Sequence, residues 1–206
     1  MAEIRVTEDG PYACEGVELV AAGGGVLAGG ERFFLCRCGG SANKPFCDGT
    51  HARIGFDGNE TADRGPVAGR ARDYEGDGVT IHDDRSLCAH LGFCTDELPA
   101  VFASRRDPWI DAGAAGATAI ARQVGRCPSG ALAATLREAG PVEDELPARI
   151  LPSPDGPYFV TGAVRVVAAD GTPYEARNRQ ALCRCGGSAN KPFCNGTHWS
   201  IGFTAP

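Results

Sequence analysis

The chain has 206 residues, with 20 Lys and Arg against 26 Asp and Glu and a formal net charge of −6. This balance argues against a general nucleic-acid binder, which would carry a basic stripe. The 29 Gly and 14 Pro residues predict a loop-rich but folded chain. Hydrophobic residues make up 43% of the sequence, so we expect a thin core of the kind that metals often reinforce.

The start of the chain, MAEIRVTEDG, has neither the basic nor the apolar region of a secretory signal. The most apolar stretch, VELVAAGGGVLAGG, contains Glu18 and several glycines, so we expect no membrane association. These features predict a cytoplasmic protein. In a reducing compartment, ten cysteines indicate metal ligands or redox groups rather than disulfides.

Two stretches of the chain are nearly identical. Residues 36–51 read CRCGGSANKPFCDGTH, and residues 183–198 repeat them with Asn195 in place of Asp48. Upstream, GPYACEGVELVAA resembles GPYFVTGAVRVVAA, but the offset there is 146 rather than 147, so one residue was inserted or lost. Alternating apolar residues predict a strand in each repeat, at Val17–Val20 and Val164–Val167.

Two linkers separate the repeats from a middle segment. Residues 57–73 are rich in Gly, Asp and Arg, and residues 140–155 are rich in Pro; both compositions resist regular structure. The chain therefore divides into a first unit (1–56), a middle domain (74–139) and a second unit (156–206).

The middle segment has its own predicted elements. A strand is expected at Val79–His82 and a helix near Ala114–Val124. Asp111 is the expected cap of that helix, and Ile120 and Val124 are expected to share its buried face.

The repeated motif has the donors of a metal site. Cys36 and Cys38 are two residues apart, so their sulfurs lie on one side of an extended chain. Cys47 and His51 are four apart, so they share a face of a helical turn. Three cysteines per motif argue against a disulfide. A structural zinc ion is a normal partner for three Cys and one His, whereas two ligand pairs suit a centre with two metal atoms, such as a 2Fe–2S cluster.

The pattern C-x-C-x2-S-x3-P-x-C-D-G-T-H resembles the CDGSH iron–sulfur family, and both repeats match it. The resemblance implies a 2Fe–2S cluster in each unit, with two cysteines on the inner iron and Cys and His on the outer iron. It also implies that the two units pack about a pseudo-twofold axis, as a monomer with an internal pseudo-dimer. The implied ligands are Cys36, Cys38, Cys47 and His51 for the first cluster, and Cys183, Cys185, Cys194 and His198 for the second.

The second motif departs from the family at Asn195, where the family has Asp. Loss of a negative charge favours the reduced form, so we hypothesise that the second cluster has the higher potential. A histidine ligand titrates near physiological pH, so such clusters should be labile in acid. Lys44 and Lys191 lie within the cluster loops; they either donate hydrogen bonds to the clusters or are solvated.

Three further cysteines lie in the middle segment. Cys88 and Cys94 are six residues apart, and Cys127 precedes Pro128, as at the end of a bacterial ferredoxin ligand run. This segment resembles the divergent single-cluster 4Fe–4S ferredoxins, although Leu91 stands where a further cysteine is usual. The resemblance implies one 3Fe–4S or 4Fe–4S cluster bound by Cys88, Cys94 and Cys127.

Other residues of the middle segment are weaker candidates. His90 lies next to the empty ligand position, but the offset of one residue fits a place outside the ligand set better. Buried structural thiols are the alternative for the whole segment. Cys14 has an apolar counterpart near Val160 and is interpreted as a buried structural thiol. Trp109 is expected in the core, and nothing recommends His82 as a ligand.

The predicted fold class is α+β: two small β-rich CDGSH units packed as a pseudo-twofold pair, plus a ferredoxin-like α+β domain. The predicted function is iron–sulfur electron transfer with a redox protein partner, not enzymatic catalysis. Storage or transfer of clusters to an apo-acceptor protein is the first alternative. A zinc-stabilised interaction module and a substrate-specific oxidoreductase are the others, the last without a dinucleotide glycine fingerprint in the sequence.

Overall fold

The computed structural model describes residues 2–206 as an α+β protein with short strands in three sheets and a few short helices. The longest helix has nine residues, and within residues 2–206 no helix has both the length and the apolar character needed to cross a membrane. The strands are β1 (Glu3–Val6), β2 (Tyr12–Glu15), β3 (Glu18–Val20), β4 (Val26–Ala28), β5 (Phe33–Leu35), β6 (Arg72–Glu75), β7 (Val79–Asp83), β8 (Leu132–Leu136), β9 (Gly140–Val142), β10 (Arg149–Pro152), β11 (Tyr158–Thr161), β12 (Arg165–Val167) and β13 (Arg179–Leu182). The helices are α1 (Thr50–Arg53), α2 (Phe93–Glu97), α3 (Ala117–Gly125) and α4 (Thr197–Ser200).

The two repeat units exchange strands. One sheet has the order β12-β1-β2-β5 and the other β13-β11-β10-β3-β4. In the first, β12 of the second unit pairs in parallel with β1; in the second, β3 of the first unit pairs in parallel with β10. Because β1 and β10 hold equivalent places, each sheet is completed by a strand from the other unit. This arrangement confirms the predicted pseudo-twofold pair.

The second unit begins earlier than the sequence predicts. The segment 140–155 was expected to be a linker, but it contains β9 and β10, and β10 is the counterpart of β1. Proline is tolerated here because Pro141 lies on the edge strand of the middle sheet. Pro152 lies beyond the part of β10 that pairs with β3, so its missing N–H breaks no bond in that ladder.

The one-residue difference between the repeats falls at Ala163. Strands β2 and β11 keep the offset of 146, whereas β3 and β12 differ by 147. Ala163 occupies this gap with a φ of 53°, a left-handed conformation. Cys14 and Val160 are therefore equivalent and both fully buried, as expected for a structural thiol. Burial raises the pKa of the Cys14 thiol well above its usual range.

Two tyrosines meet at the centre of the pseudo-twofold pair. The rings of Tyr12 and Tyr158 pack edge to face, with centroids 6.1 Å apart. Each hydroxyl reaches across to the cluster loop of the other unit, where it lies within hydrogen-bond distance of two carbonyl oxygens. The acceptors are Cys183 O and Pro192 O at 2.9 and 3.0 Å for Tyr12, and Cys36 O and Pro45 O at 2.9 and 3.0 Å for Tyr158.

The middle domain is an antiparallel sheet in the order β6-β7-β8-β9, covered by helix α3. Ile120 and Val124 are buried on this helix, as predicted. The prediction that Asp111 caps it is wrong: the helix begins at Ala117 after Gly116. Asp111 instead accepts a hydrogen bond from the N–H of Gly113 at 3.1 Å, a local turn that competes with capping.

Candidate metal centres

The first motif folds into a loop that brings Cys36 and Cys38 together. Strand β5 leads directly into Cys36, whose N–H donates to Pro45 O at 2.8 Å, while the N–H of Cys47 donates to Phe34 O at 2.9 Å. These bonds turn the loop back onto its own strand. The Cys36 and Cys38 sulfurs lie 3.8 Å apart, on the same side as predicted.

Cys47 and His51 form the second donor pair. Gly49 has a φ of 83°, which a glycine adopts without strain and which lets the chain enter helix α1. Only His51 lies in that helix; Cys47 precedes it, so the predicted shared helical face is replaced by a tight turn. The Cys47 sulfur lies 3.4 Å from His51 Nδ1. Asp48 holds the turn, because its carboxylate accepts from the N–H groups of Ala42 and Thr50 at 2.9 and 3.0 Å.

Backbone N–H groups of the loop point at two of its sulfurs. The N–H of Gly40 lies 3.4 Å from the Cys38 sulfur, and the N–H of Gly49 lies 3.5 Å from the Cys47 sulfur. At Cys38 burial outweighs the Gly40 bond and raises the pKa of the thiol. Within residues 2–206, no three His, Cys, Asp or Glu side chains converge on a position for one ion. The donors of the loop therefore lie as two pairs, Cys36 with Cys38 and Cys47 with His51.

The second motif repeats this geometry. The sulfurs of Cys183 and Cys185 are 3.9 Å apart, and the Cys194 sulfur lies 3.3 Å from His198 Nδ1. A hydrogen bond from the buried Cys183 thiol lowers the pKa of Cys185 to about 6, whereas burial raises the pKa of Cys194 to about 12. Asn195 still accepts from the N–H of Thr197 at 3.2 Å.

The two sites differ in what surrounds them. Cys194 and His198 are each 2% exposed, whereas Cys47 and His51 are only half-buried. Ala89 of the middle domain packs against Cys194. Burial lowers the pKa of His198, and its Nε2 has no hydrogen-bond partner among residues 2–206. The middle domain therefore shields the second site and leaves the first open.

The middle domain gathers its three cysteines around a small cavity of about 30 Å³, which is also lined by His90, Leu91 and Ser129. Cys88 follows a short 3-10 turn, Cys94 lies in α2 and Cys127 follows α3. Burial, followed by the charges of Cys127 and Cys88, raises the pKa of Cys94 to about 11. The Cys94 thiol must therefore lose its proton when a metal group binds, as cluster ligands do.

The remaining candidates take other roles. His90 borders the middle cavity, yet its side chain is mostly exposed and also lies against Gly196. His82 contacts Asp73 and Thr135 on the sheet. The indole N–H of Trp109 donates to Asp83 at 3.0 Å. Lys44 donates to the carbonyl of Ser41 at 2.8 Å, within its own loop.

Arg179 joins the second unit to the middle domain, a role that no pattern in the sequence indicates. The side chain is 5% exposed and forms an ion pair with Glu143 at 2.6 Å. Its counterpart in the first unit is Arg32, which is exposed and pairs with Glu15 at 3.0 Å. The guanidinium of Arg179 also donates to the carbonyls of Val124, Gly125, Cys127 and Leu132 at 2.9, 3.2, 2.6 and 3.2 Å.

Comparison with known proteins agrees with this division of the chain. The family model described as "Iron-binding zinc finger CDGSH type" matches residues 9–52 and 155–199, and "Divergent 4Fe-4S mono-cluster" matches residues 74–137. "Uncharacterized protein YjdI" of Escherichia coli, from strain K12 and from O157:H7, is 29% identical over 70 residues, covering 34% of this chain and 92% of the relative. The chain thus carries two CDGSH regions with a divergent 4Fe-4S mono-cluster domain between them, and these domains support an iron–sulfur protein.

Proposed function

We propose that the protein transfers single electrons through two 2Fe–2S clusters and one 3Fe–4S or 4Fe–4S cluster. The observation that carries this proposal is the arrangement of sulfur donors in each motif as separate pairs with backbone N–H groups aimed at them. Three Cys ligands and one His ligand at each CDGSH site would give its 2Fe–2S cluster a higher reduction potential than four cysteines would.

The three donor groups lie in a contiguous series. Cys38 and Cys185 form a backbone bridge between the two CDGSH loops. Ala89, next to Cys88, packs against Cys194, which connects the second loop to the middle site. A contiguous series of sites supports passage of an electron from one end of the protein to the other.

A carrier role fits the polar side chains of the loops better than catalysis does. Ser41 and Ser188 each donate to a backbone carbonyl of their own loop at 2.7 Å. The Asp48 carboxylate accepts hydrogen bonds from two backbone N–H groups. These bonds, above all the one from Ala42, keep the pKa of Asp48 well below its usual range. These groups are engaged in loop structure and are poorly placed to act on a substrate.

Cluster transfer is the second candidate, and the half-buried His51 favours it. An accessible outer ligand gives an acceptor protein a route to the first cluster. Incubation of the holoprotein with an apo-ferredoxin separates the two functions. Growth of the acceptor's absorption with matching loss of iron from the donor supports transfer. No iron loss to the apo-ferredoxin, together with electron exchange when the same ferredoxin is supplied with its cluster, supports the carrier.

The decisive experiment is iron and sulfide analysis, with visible absorption and EPR, on protein purified without air. About seven or eight irons per chain with matching sulfide are expected. An EPR signal in the oxidised state indicates a three-iron middle cluster, and silence indicates four irons. Cys47→Ser should remove about two irons. Cys14→Val, which copies Val160, is the matched control and should remove none. Colourless protein with zinc and no sulfide contradicts the proposal.

A further inference from the structure

The cluster loops of the two units have the same backbone but different neighbours. Gly49 and Gly196 are equivalent, with φ of 83° and 85°. A Cβ placed on Gly196 would lie 3.1 Å from the Cβ of His90 and 3.4 Å from Ala89 O, whereas one on Gly49 would have no neighbour within 4 Å. The middle domain thus sits on one face of the second unit, and the equivalent face of the first unit is open.

The residues on these two faces match their surroundings. Ala181 is 2% exposed and packs beneath Ala89. Its counterpart in the first unit is Phe34, whose side chain is 45% exposed. The carbonyl of Phe34 accepts from the N–H of Cys47 at 2.9 Å, so this exposed ring adjoins the ligand loop. A large exposed aromatic residue beside a redox site is a feature of protein contact surfaces.

Charge also distinguishes the border of the open face, at positions whose counterparts in the second unit, Pro154 and Thr204, are exposed and not covered by the middle domain. Three exposed carboxylates, Glu8, Asp48 and Asp57, stand where the second unit has the neutral residues Pro154, Asn195 and Thr204. The first unit also has one added cation, Arg53, where the second unit has Ser200. The guanidinium of Arg53 donates to Thr50 Oγ1 at 2.6 Å. Glu8, Asp9 and Asp57 line one cleft together with His51. The border of the first site is therefore acidic.

We propose that the open face, formed by Phe34, Gly49 and His51 with the carboxylates Glu8 and Asp57, docks a redox partner protein whose surface around its own redox centre is basic. This inference rests on the proposed electron-transfer function. The middle domain supplies the precedent, because it places its own cysteine site against the second unit through the equivalent face. With a cluster held by Cys36, Cys38, Cys47 and His51, this face would be where one electron leaves for a one-electron centre of the partner, which would be reduced as the cluster is oxidised, with no covalent bond made or broken.

Ferricytochrome c, a basic one-electron protein, is the probe for this face. The holoprotein is reduced with dithionite and freed of excess reductant, and haem reduction is followed by stopped-flow absorption. The test variant is Glu8→Lys with Asp57→Asn; the asparagine retains the oxygen that accepts from Asn59. The control is Glu75→Lys with Glu138→Gln, which changes the charge equally on the middle domain.

The test variant should react about tenfold more slowly than the wild type at low ionic strength, and the control by less than about twofold. At about 0.3 M salt the difference should largely disappear, because screening acts over a few ångströms there. Phe34→Ala should slow the reaction at both salt concentrations. Equal slowing of the test and control variants, or no slowing of either, overturns the docking face.

Ferricyanide, a small oxidant that needs no docking face, separates this inference from the proposed function. If ferricyanide oxidises the reduced wild type but the rate of cytochrome c reduction is the same in the face variants as in the wild type, only the docking proposal is wrong. If the reduced protein gives no electrons to ferricyanide, electron transfer fails and the docking face fails with it. Iron content measured for every variant ensures that a slow rate does not reflect a lost cluster.

Discussion

The two CDGSH loops are the same in fifteen of sixteen residues, yet they occupy different environments. Their donor distances agree within 0.1 Å: 3.8 and 3.9 Å between the paired cysteines, and 3.4 and 3.3 Å between cysteine and histidine. Only the second loop is covered by the middle domain. The motif thus determines the ligand geometry, while residues far away in the sequence determine access to it.

Loss of the contact between the middle domain and the second unit should change the free energy of unfolding most. Arg179→Met removes a buried guanidinium that binds Glu143 and four carbonyls, leaving a partly buried carboxylate without its partner. We expect a loss of about 3 kcal/mol in the free energy of unfolding, measured by denaturant titration. Arg32→Met, at the equivalent exposed position, should cost less than about 1 kcal/mol. Equal losses would mean that Arg179 is not what holds the two parts together.

Substitution of either tyrosine at the twofold axis should lower the stability by a similar amount, whereas the two loops should behave differently. Tyr12→Phe and Tyr158→Phe each remove one hydroxyl that reaches two carbonyls of the opposite unit. Each should cost about 1 to 2 kcal/mol in thermal or denaturant unfolding, because both hydroxyls are buried. A difference above about 1 kcal/mol between the variants would show that the symmetry of the core is broken.

Iron removal by a chelator compares how accessible the two CDGSH sites are. The open first site should lose iron about tenfold faster than the covered site, since the latter requires local opening of the middle domain. The variants Cys194→Ser and Cys47→Ser each leave one CDGSH site intact, and the middle cluster is present in both, so the difference between their absorption decays compares the two CDGSH sites. Arg179→Met should bring the second site close to the rate of the first. Equal rates in the unaltered background would contradict shielding.

Exchanging the one differing residue isolates the effect of charge. Asp48→Asn should raise the potential of the first cluster, and Asn195→Asp should lower that of the second, each by up to about 59 mV, a tenfold change for one electron. Burial of the second site acts in the opposite direction, because a low dielectric disfavours the more negative reduced form. EPR-monitored redox titration of the single-site variants measures each potential, and shifts of the opposite sign would refute the charge hypothesis.

Local patterns in the sequence were enough to predict much of the fold. Alternation located the strands near Val17 and Val164, and the helical period located Ile120 and Val124 on a buried face. Strand β10 was missed because RILP shares little with its counterpart EIRV and ends in proline. The ligand assignments of the three sites stay predictions, although the structure brings each predicted donor pair together.

The asymmetry between the sites could not be read from the repeats. It depends on Ala89 and His90, which lie about one hundred residues from Gly196 in sequence, and on Arg179, whose repeat partner Arg32 is exposed. Nothing local distinguishes a buried arginine from an exposed one in these segments. One sequence feature could have indicated the tyrosine contacts: Tyr12 and Tyr158 occupy the same place in the repeated Gly-Pro-Tyr.

The back-to-back contact of the two loops has a mechanical consequence. A Cβ on Gly39 would lie 2.5 Å from Cys185 O, and one on Gly186 would lie 2.7 Å from Cys38 O, so the two backbones touch where no larger residue fits. Strands exchanged between the units on either side reinforce this contact. Backbone packing therefore sets the spacing between the two cysteine loops, so a side chain added at Gly39 or Gly186 should force the loops apart.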